Sequence, residues 1–293
     1  MDKLLIVGAS GLVGSRLAEI AKDEYEVFGA YNKNEVNGRN FFKLDSTERN
    51  DTFRLIEKIK PDFVVDTHSI TNLDYCETHP EETWQVNVDG SRNIAEACKN
   101  FGSKYIFLST DYVFDGKKLR YTEKDKPHPL NYYAKTKVIV EHMLSAFDMN
   151  YVVTRASVIY GKDGRSRMNF VTWLISRLKS GENVKIVSDQ KNNPTFADNL
   201  AKQILMLYEK DELGIFNATG KDCLSRLDFS KEIAKTFNLD EELILSVTTP
   251  QLNQIALRPA SVNMSTDKLE KATGIKVLGV REGLVMLKKQ IGV

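Results

Sequence analysis

The sequence predicts an α/β fold: a doubly wound parallel sheet with a smaller, mostly helical C-terminal part that binds substrate. Three observations predict it. Short apolar, β-favouring runs alternate with helical patterns through the first half of the chain, the pattern of right-handed βαβ units. The first run passes directly into Gly8-Ala9-Ser10-Gly11-Leu12-Val13-Gly14. The fifth run, residues 105–108, delivers Ser109, Thr110, Asp111 and Tyr112 to its C-terminal end, and the helix after it carries Tyr133 and Lys137 four residues apart. Ligands of open parallel sheets sit beyond the carboxyl ends of the strands, where these polar residues fall.

Composition narrows the function. The chain has 293 residues, enough for one large domain or two closely joined ones, with 42% hydrophobic and 28% charged residues, ordinary values for a globular protein. A net charge of +1 gives no reason to expect nucleic acid or an anionic membrane surface as a partner. No apolar run is long enough to span a bilayer, and the N-terminal run is too short for a signal peptide. Cys76, Cys98 and Cys223 are odd in number and far apart, which points to reduced thiols in a cytoplasmic protein. His68, His79, His128 and His142 lack metal-ligand spacing, so no metal is expected.

In chain order, residues 3–7 form the first strand and the glycine segment opens the first helix, whose inner face is Val13, Leu17 and Ile20. Strand, glycine-rich turn and helix are the context of a dinucleotide fingerprint, so Gly8, Ser10, Gly11, Leu12, Val13 and Gly14 are candidate cofactor residues of a Rossmann-type domain. Gly8 permits the tight turn, Gly11 lets the backbone approach a pyrophosphate, and Gly14 lets the helix pack close to its strand. The second strand, residues 25–30, ends in Tyr31, Asn32 and Lys33, with no acid before Glu35. An acid here would repel a 2′-phosphate and Lys33 would attract one. NADP(H) is therefore preferred and NAD(H) left open; Lys33 reads equally as a solvated loop charge.

The third strand, residues 41–44, ends in Asp45 and Ser46, placed in the cofactor groove. A helix over 51–60 leads to a fourth strand over 62–65. The polar segment after it puts His68, Ser69 and Thr71 beside the cofactor. His68 has no acid or nucleophile paired with it by sequence, so it reads as lining the groove. A long helix over 81–101 carries Asn87. The fifth strand supplies Ser109, and the sixth spans 151–155. A loop over 161–164 then precedes helices over 168–178 and 196–208, a short strand over 184–187, a return strand near 213–218, and a mostly helical remainder. The boundary is placed at 160: residues 1–160 bind the dinucleotide and residues 161–293 mainly the substrate.

Tyr133 and Lys137 share one helix face, so a phenol, an ammonium and the Thr110 hydroxyl can meet. In isolation the pair also reads as an ordinary surface helix. Further blocks decide between the two: VNVDGSRNIAEAC from Val86, STDYVFDG from Ser109, PLNYYAKTK from Pro129, DQKNNPTFADNLA from Asp189 and RPASVNMSTDKL from Arg258. On these blocks nearly the whole chain resembles the extended short-chain dehydrogenase/reductase family, and more narrowly the dTDP-4-dehydrorhamnose reductase family. It departs from that group at Asp66-Thr67-His68-Ser69, where an alanine-rich strand end is common, and at Ala134, where glycine is common.

The resemblance implies hydride transfer from NADPH to the C4 carbonyl of a nucleotide-linked sugar. Tyr133 would be the general acid, with its pKa lowered by the Lys137 ammonium, and Lys137 would also bond the nicotinamide ribose. Thr110 would donate to the carbonyl oxygen, and Asp111 and Tyr112 would shape the sugar site. Arg258 would pair with the diphosphate and Asn169 would contact the sugar nucleotide. A 4-epimerase remains an alternative, as does a non-catalytic NADP-binding regulatory subunit like the methionine adenosyltransferase β subunit. A dehydratase is disfavoured, because Thr110 is not followed by a carboxylate pair. Oligomeric state is not legible, and a homodimer stays open.

Overall fold

The computed structural model describes residues 1–162 and 168–292. Seven strands form one parallel sheet: β1 (Lys3–Val7), β2 (Glu26–Tyr31), β3 (Phe41–Lys43), β4 (Phe63–Asp66), β5 (Lys104–Thr110), β6 (Tyr151–Ala156) and β7 (Gly214–Asn217). Their spatial order is β3-β2-β1-β4-β5-β6-β7. The chain therefore winds outward in one direction from β1 and in the other from β4, which leaves a crevice above the carboxyl ends of that pair.

Side chains alternate across the pleat, so each strand feeds two cores. Leu4 and Ile6 of β1 join Phe63, Val65 and Ile106 under the helices Leu12–Ala21 and Ala197–Glu209. Leu5, Val64, Tyr105 and Phe107 face the opposite way, against Ile56, Ile94 and Leu144 of the helices Arg49–Ile59, Ser91–Phe101 and Tyr132–Ala146. Each such apolar side chain contributes about 1.5–3 kcal/mol on burial, which is why these strands read as continuous apolar runs. A third core holds the rest together: Leu174, Phe229, Ile233 and Leu284 from the helices Phe170–Lys179, Arg226–Phe237 and Val280–Ile291.

The structure departs from the sequence reading in three places. Residues 81–101 are not one regular helix. The α-helix Pro80–Trp84 passes into a π-helical stretch, Gln85–Gly90, before Ser91–Phe101 resumes α geometry. Gly90 explains the local fit: a Cβ there would stand 2.5 Å from Ser46 Oγ and 2.9 Å from His68 Nε2. The C-terminal remainder also contains a strand, Ile244–Val247, paired in parallel with Val184–Val187. Finally, a short helix, Leu73–Thr78, is capped by Asn72, whose side chain accepts from Tyr75 N at 3.1 Å. Of the loop read over 161–164, Asp163 and Gly164 lie outside the described residues. Among the described residues, no helix is long and apolar enough to cross a membrane.

Candidate functional site

The glycine turn fits a dinucleotide by its backbone. Gly8 has φ +87, and a Cβ on it would lie 2.7 Å from Thr67 Oγ1 and 2.8 Å from His68 N. A Cβ on Gly14 would lie 2.3 Å from the Gly8 carbonyl oxygen. Both positions therefore exclude side chains, and the backbone closes tightly. Gly8 N and Ala9 N donate to Ala30 O at 3.0 and 2.9 Å, which pins the turn to the end of β2. The helix after it starts at Gly11, with no side-chain cap and no acid in its first turn. Its N-terminal N–H groups and dipole suit an anion such as a pyrophosphate. Ser10 and Leu12 are half-buried beside the turn, while Val13 is buried in the core.

Around this turn the structure alters two expectations. Lys33 and Asn32 are exposed at the end of β2, as the sequence suggested. The absence of an acid there holds along the chain but not in space. The Asp45 carboxylate, exposed after β3, is held below its usual range because hydrogen bonds from Thr47 N and Oγ1, at 3.0 and 2.7 Å, outweigh its desolvation. Neighbouring Ser46 is buried, and its carbonyl accepts from Asn93 Nδ2 at 2.9 Å. His68 is also not unpaired. Nδ1 meets the fully buried Asp66 carboxylate and Nε2 meets Val86 O at 2.9 Å. Both ring nitrogens face acceptors, the arrangement of a charged imidazolium. Burial opposes that charge, but Asp66 outweighs it and raises the His68 pKa. The sequence reading missed the pair because Asp66 sits in the strand, two residues away.

The loop that follows is fixed from the side. Asn87 is fully buried; its Oδ1 accepts from Ile70 N at 2.8 Å, and its Nδ2 donates to Ile70 O at 3.1 Å and Thr136 Oγ1 at 3.3 Å. Thr136 in turn donates to Tyr133 O at 2.7 Å. Asn87 thus ties the segment holding Ser69 and Thr71 to the helix holding Tyr133. Ser69 Oγ donates to Ile70 O at 3.3 Å, and Thr71 is exposed.

Thr110, Tyr133 and Lys137 do converge. Thr110 ends β5, and its Oγ1 accepts from Tyr112 N at 3.2 Å. The helix Tyr132–Ala146 opens at Asn131, whose Oδ1 accepts from Ala134 N and whose Nδ2 donates to Leu257 O, both at 2.9 Å. That cap fixes the first turn, where Tyr133 is buried, as is Thr110 at the end of β5. Lys137 Nζ donates to Leu108 O at 3.0 Å and lies 5.9 Å from the centroid of the Tyr133 ring. One electrostatic expectation is reversed. Burial and then the Asp111 carboxylate raise the Tyr133 pKa, against the Thr110 hydrogen bond, and Lys137 is not what sets it. Lys137 itself is pushed down to about 8 by burial.

Ser109 turns away from this cluster. Its Oγ donates to Glu141 Oε1 at 2.6 Å, and Glu141 forms a two-pronged ion pair with Arg155 at 3.0 and 2.5 Å, all inside the core. Its side chain thus braces the end of β5 from behind the site. Asp111 is buried and accepts at Oδ2 from Ser157 Oγ at 2.6 Å and Asn192 Nδ2 at 2.7 Å. Burial nevertheless raises its pKa.

On the substrate side, Arg258 is not free. Its Nη2 pairs with Asp74 Oδ1 at 3.0 Å and its Nη1 donates to Ala256 O at 2.7 Å, which orients the group beside Tyr112. Asn169 is a helix cap: Oδ1 accepts from Val171 N at 3.1 Å and Nδ2 donates to Gly161 O at 2.8 Å. The structure adds Ser157, Asn192, Asp74 and Arg226 to the cleft. Only Asn192 had a sequence signal, the Asn-Asn-Pro turn before a helix; the others are brought in by distant pairing.

Comparison with known proteins agrees with this layout. The RmlD substrate binding domain family matches residues 2–292. The dTDP-4-dehydrorhamnose reductase of Aggregatibacter actinomycetemcomitans is 31% identical, over 94% of this chain and 95% of that protein. Methionine adenosyltransferase 2 subunit beta of Bos taurus is 28% identical, over 92% of this chain and 81% of its own length. The crystal structure of dTDP-4-dehydrorhamnose reductase from Bacillus anthracis in complex with NADP superposes with a TM-score of 0.89 at 26% identity, covering 99% of both chains. The family match over nearly the whole chain and the 31% identical relative place it: the chain belongs to the RmlD substrate binding domain family, with the dTDP-4-dehydrorhamnose reductases.

Proposed function

We propose that this protein reduces the C4 carbonyl of a nucleotide-linked 4-keto-6-deoxy sugar with NADPH. The observation that carries the reading is the burial of Tyr133 and Lys137 one helical turn apart beside the end of β5, where Lys137 Nζ donates to Leu108 O two residues before Thr110. NADPH, when bound, supplies the hydride. The Tyr133 phenol, its pKa raised by burial, is fully protonated at neutral pH and serves as the proton donor to the carbonyl oxygen. The Thr110 hydroxyl donates a hydrogen bond to the same oxygen as its charge grows. The Lys137 ammonium holds the ribose hydroxyls of the cofactor and favours the phenolate left after proton transfer. Residues 161–293 form the larger part of the substrate site, with Arg258 oriented by Asp74 toward the diphosphate. Among the described residues the cysteines are unpaired and two are buried, which supports work in the reducing cytoplasm.

The similarity to a regulatory subunit favours a second reading, an NADP-binding partner of a synthetase. The complete Thr110, Tyr133 and Lys137 set favours catalysis. Purified protein incubated with NADPH and dTDP-4-dehydrorhamnose should consume the nicotinamide absorbance. Tight NADPH binding with no turnover on any nucleotide-linked 4-keto sugar would instead support the regulatory role.

Two further results are expected. Lys33 is exposed at the end of β2, where a 2′-phosphate would lie, so NADPH should bind at least as well as NADH. Lys33→Glu should shift that ratio toward NADH by about tenfold, as for one charge contact worth about 1.4 kcal/mol. An unchanged ratio in parallel titrations would place the preference elsewhere. Arg258→Ala should raise the KM for the nucleotide sugar while NADPH affinity stays constant. A charge-assisted hydrogen bond from Arg258 to the diphosphate is worth about 1.5–3 kcal/mol, and the half-buried Asp74 carboxylate left behind would add repulsion toward a diphosphate. An unmoved KM would leave Arg258 as a brace for the segment around Ala256.

A further inference from the structure

Arg226 lies in the cleft without a role in the reading above. A small antiparallel ribbon delivers it. Leu224–Ser225 pairs with Lys191–Asn192, and Arg226 N donates to Gln190 O at 2.9 Å. The opposing strand carries Asn192, whose amide holds Asp111, so Arg226 emerges on the Asp111 side of the site. Its guanidinium lies 5.0 Å over the Phe170 ring, and the residue is half-buried.

The two cleft arginines differ in what already occupies them. Arg258 is paired with Asp74 and bonded to Ala256 O. Arg226 makes no ion pair among the described residues. They also differ in place. The Arg258 charge acts on Tyr112, whereas the Arg226 charge acts on both Tyr112 and Asp111. Asp111 accepts from Thr110 Oγ1 at 3.2 Å, so Arg226 stands on the side of the reacting carbonyl. A guanidinium only donates, and its planar fork suits hydroxyl or carboxylate oxygens rather than a methyl group. Seating on an aromatic ring fixes its plane and limits the ordering cost of a new hydrogen bond.

We propose that Arg226 is a specificity-determining residue that donates to oxygens of the sugar itself, selecting a hexose with a hydroxyl or carboxylate on that side and leaving the diphosphate to Arg258. This rests on the nucleotide-sugar reading of the site.

Calorimetric titration of the NADP⁺-loaded enzyme with a dTDP-linked 6-deoxyhexose and with dTDP alone separates the two contributions. Arg226→Met should lower affinity for the sugar nucleotide by about tenfold, the loss expected for one charge-assisted hydrogen bond. Affinity for dTDP and the melting temperature should stay as in the wild type. Arg226→Lys should recover part of the loss, and Arg258→Ala should weaken both ligands. Equal weakening of both ligands by Arg226→Met would assign Arg226 to the phosphates and overturn the proposal, as would unchanged binding of the sugar nucleotide. A wild-type enzyme that binds neither ligand would refute the nucleotide-sugar reading itself, and the proposal with it.

Discussion

Replacing Tyr133 by Phe should lower kcat by about 10²–10⁴, the range for a positioned general acid. The substitution removes one hydroxyl and keeps the ring, which is buried among Leu73, Cys76 and Ala256. The helix start is fixed by Asn131 and Thr136 through backbone groups, so neither the fold nor NADPH affinity should change. The raised Tyr133 pKa sharpens the test. A phenol that stays protonated through neutral pH can give its proton to the alkoxide, and Phe has none to give. Tyr132→Phe is the control. Tyr132 points about 100° away around the helix, and its loss should cost within a few-fold of wild-type activity. Equal losses in the two variants, measured as single-turnover NADPH oxidation, would show that the proton comes by another route.

Breaking the buried pair between Glu141 and Arg155 should be the largest stability effect. Both side chains are 1% exposed, and their two contacts close a ring with Ser109 directly behind Thr110. Glu141→Leu would leave a guanidinium in the core without its counter-charge and take the acceptor from Ser109. Such removals cost about 3–5 kcal/mol, because the orphaned charge keeps its desolvation penalty. Replacing both, with Glu141→Leu and Arg155→Met, should recover much of that loss, since no bare charge remains. Denaturant unfolding of the cofactor-free protein reads both variants. A cost below about 1 kcal/mol for Glu141→Leu would mean that water reaches the pair and that it does not brace the site.

The sheet was legible in the sequence because its causes are local. Apolar runs such as Phe63–Asp66 must be buried on both faces, and Gly8 and Gly14 occupy positions that no Cβ can enter. The Thr110, Tyr133 and Lys137 set was legible for the same reason: strand end and helix phase fix where those side chains go. What escaped depends on pairing across distance. Glu141 claims Ser109, and Asp74 claims Arg258. Asn169 caps its own helix through Oδ1 and reaches Gly161 O through Nδ2. The protonation of Tyr133 also lay beyond the sequence. A Tyr four residues before a Lys predicts a lowered pKa, but burial and the neighbouring Asp111 act in the opposite direction. Local chain geometry thus determined which residues reach the crevice. Only the tertiary structure decided which are already held by partners and how far each is desolvated, since both depend on groups that the chain brings together from far along its length.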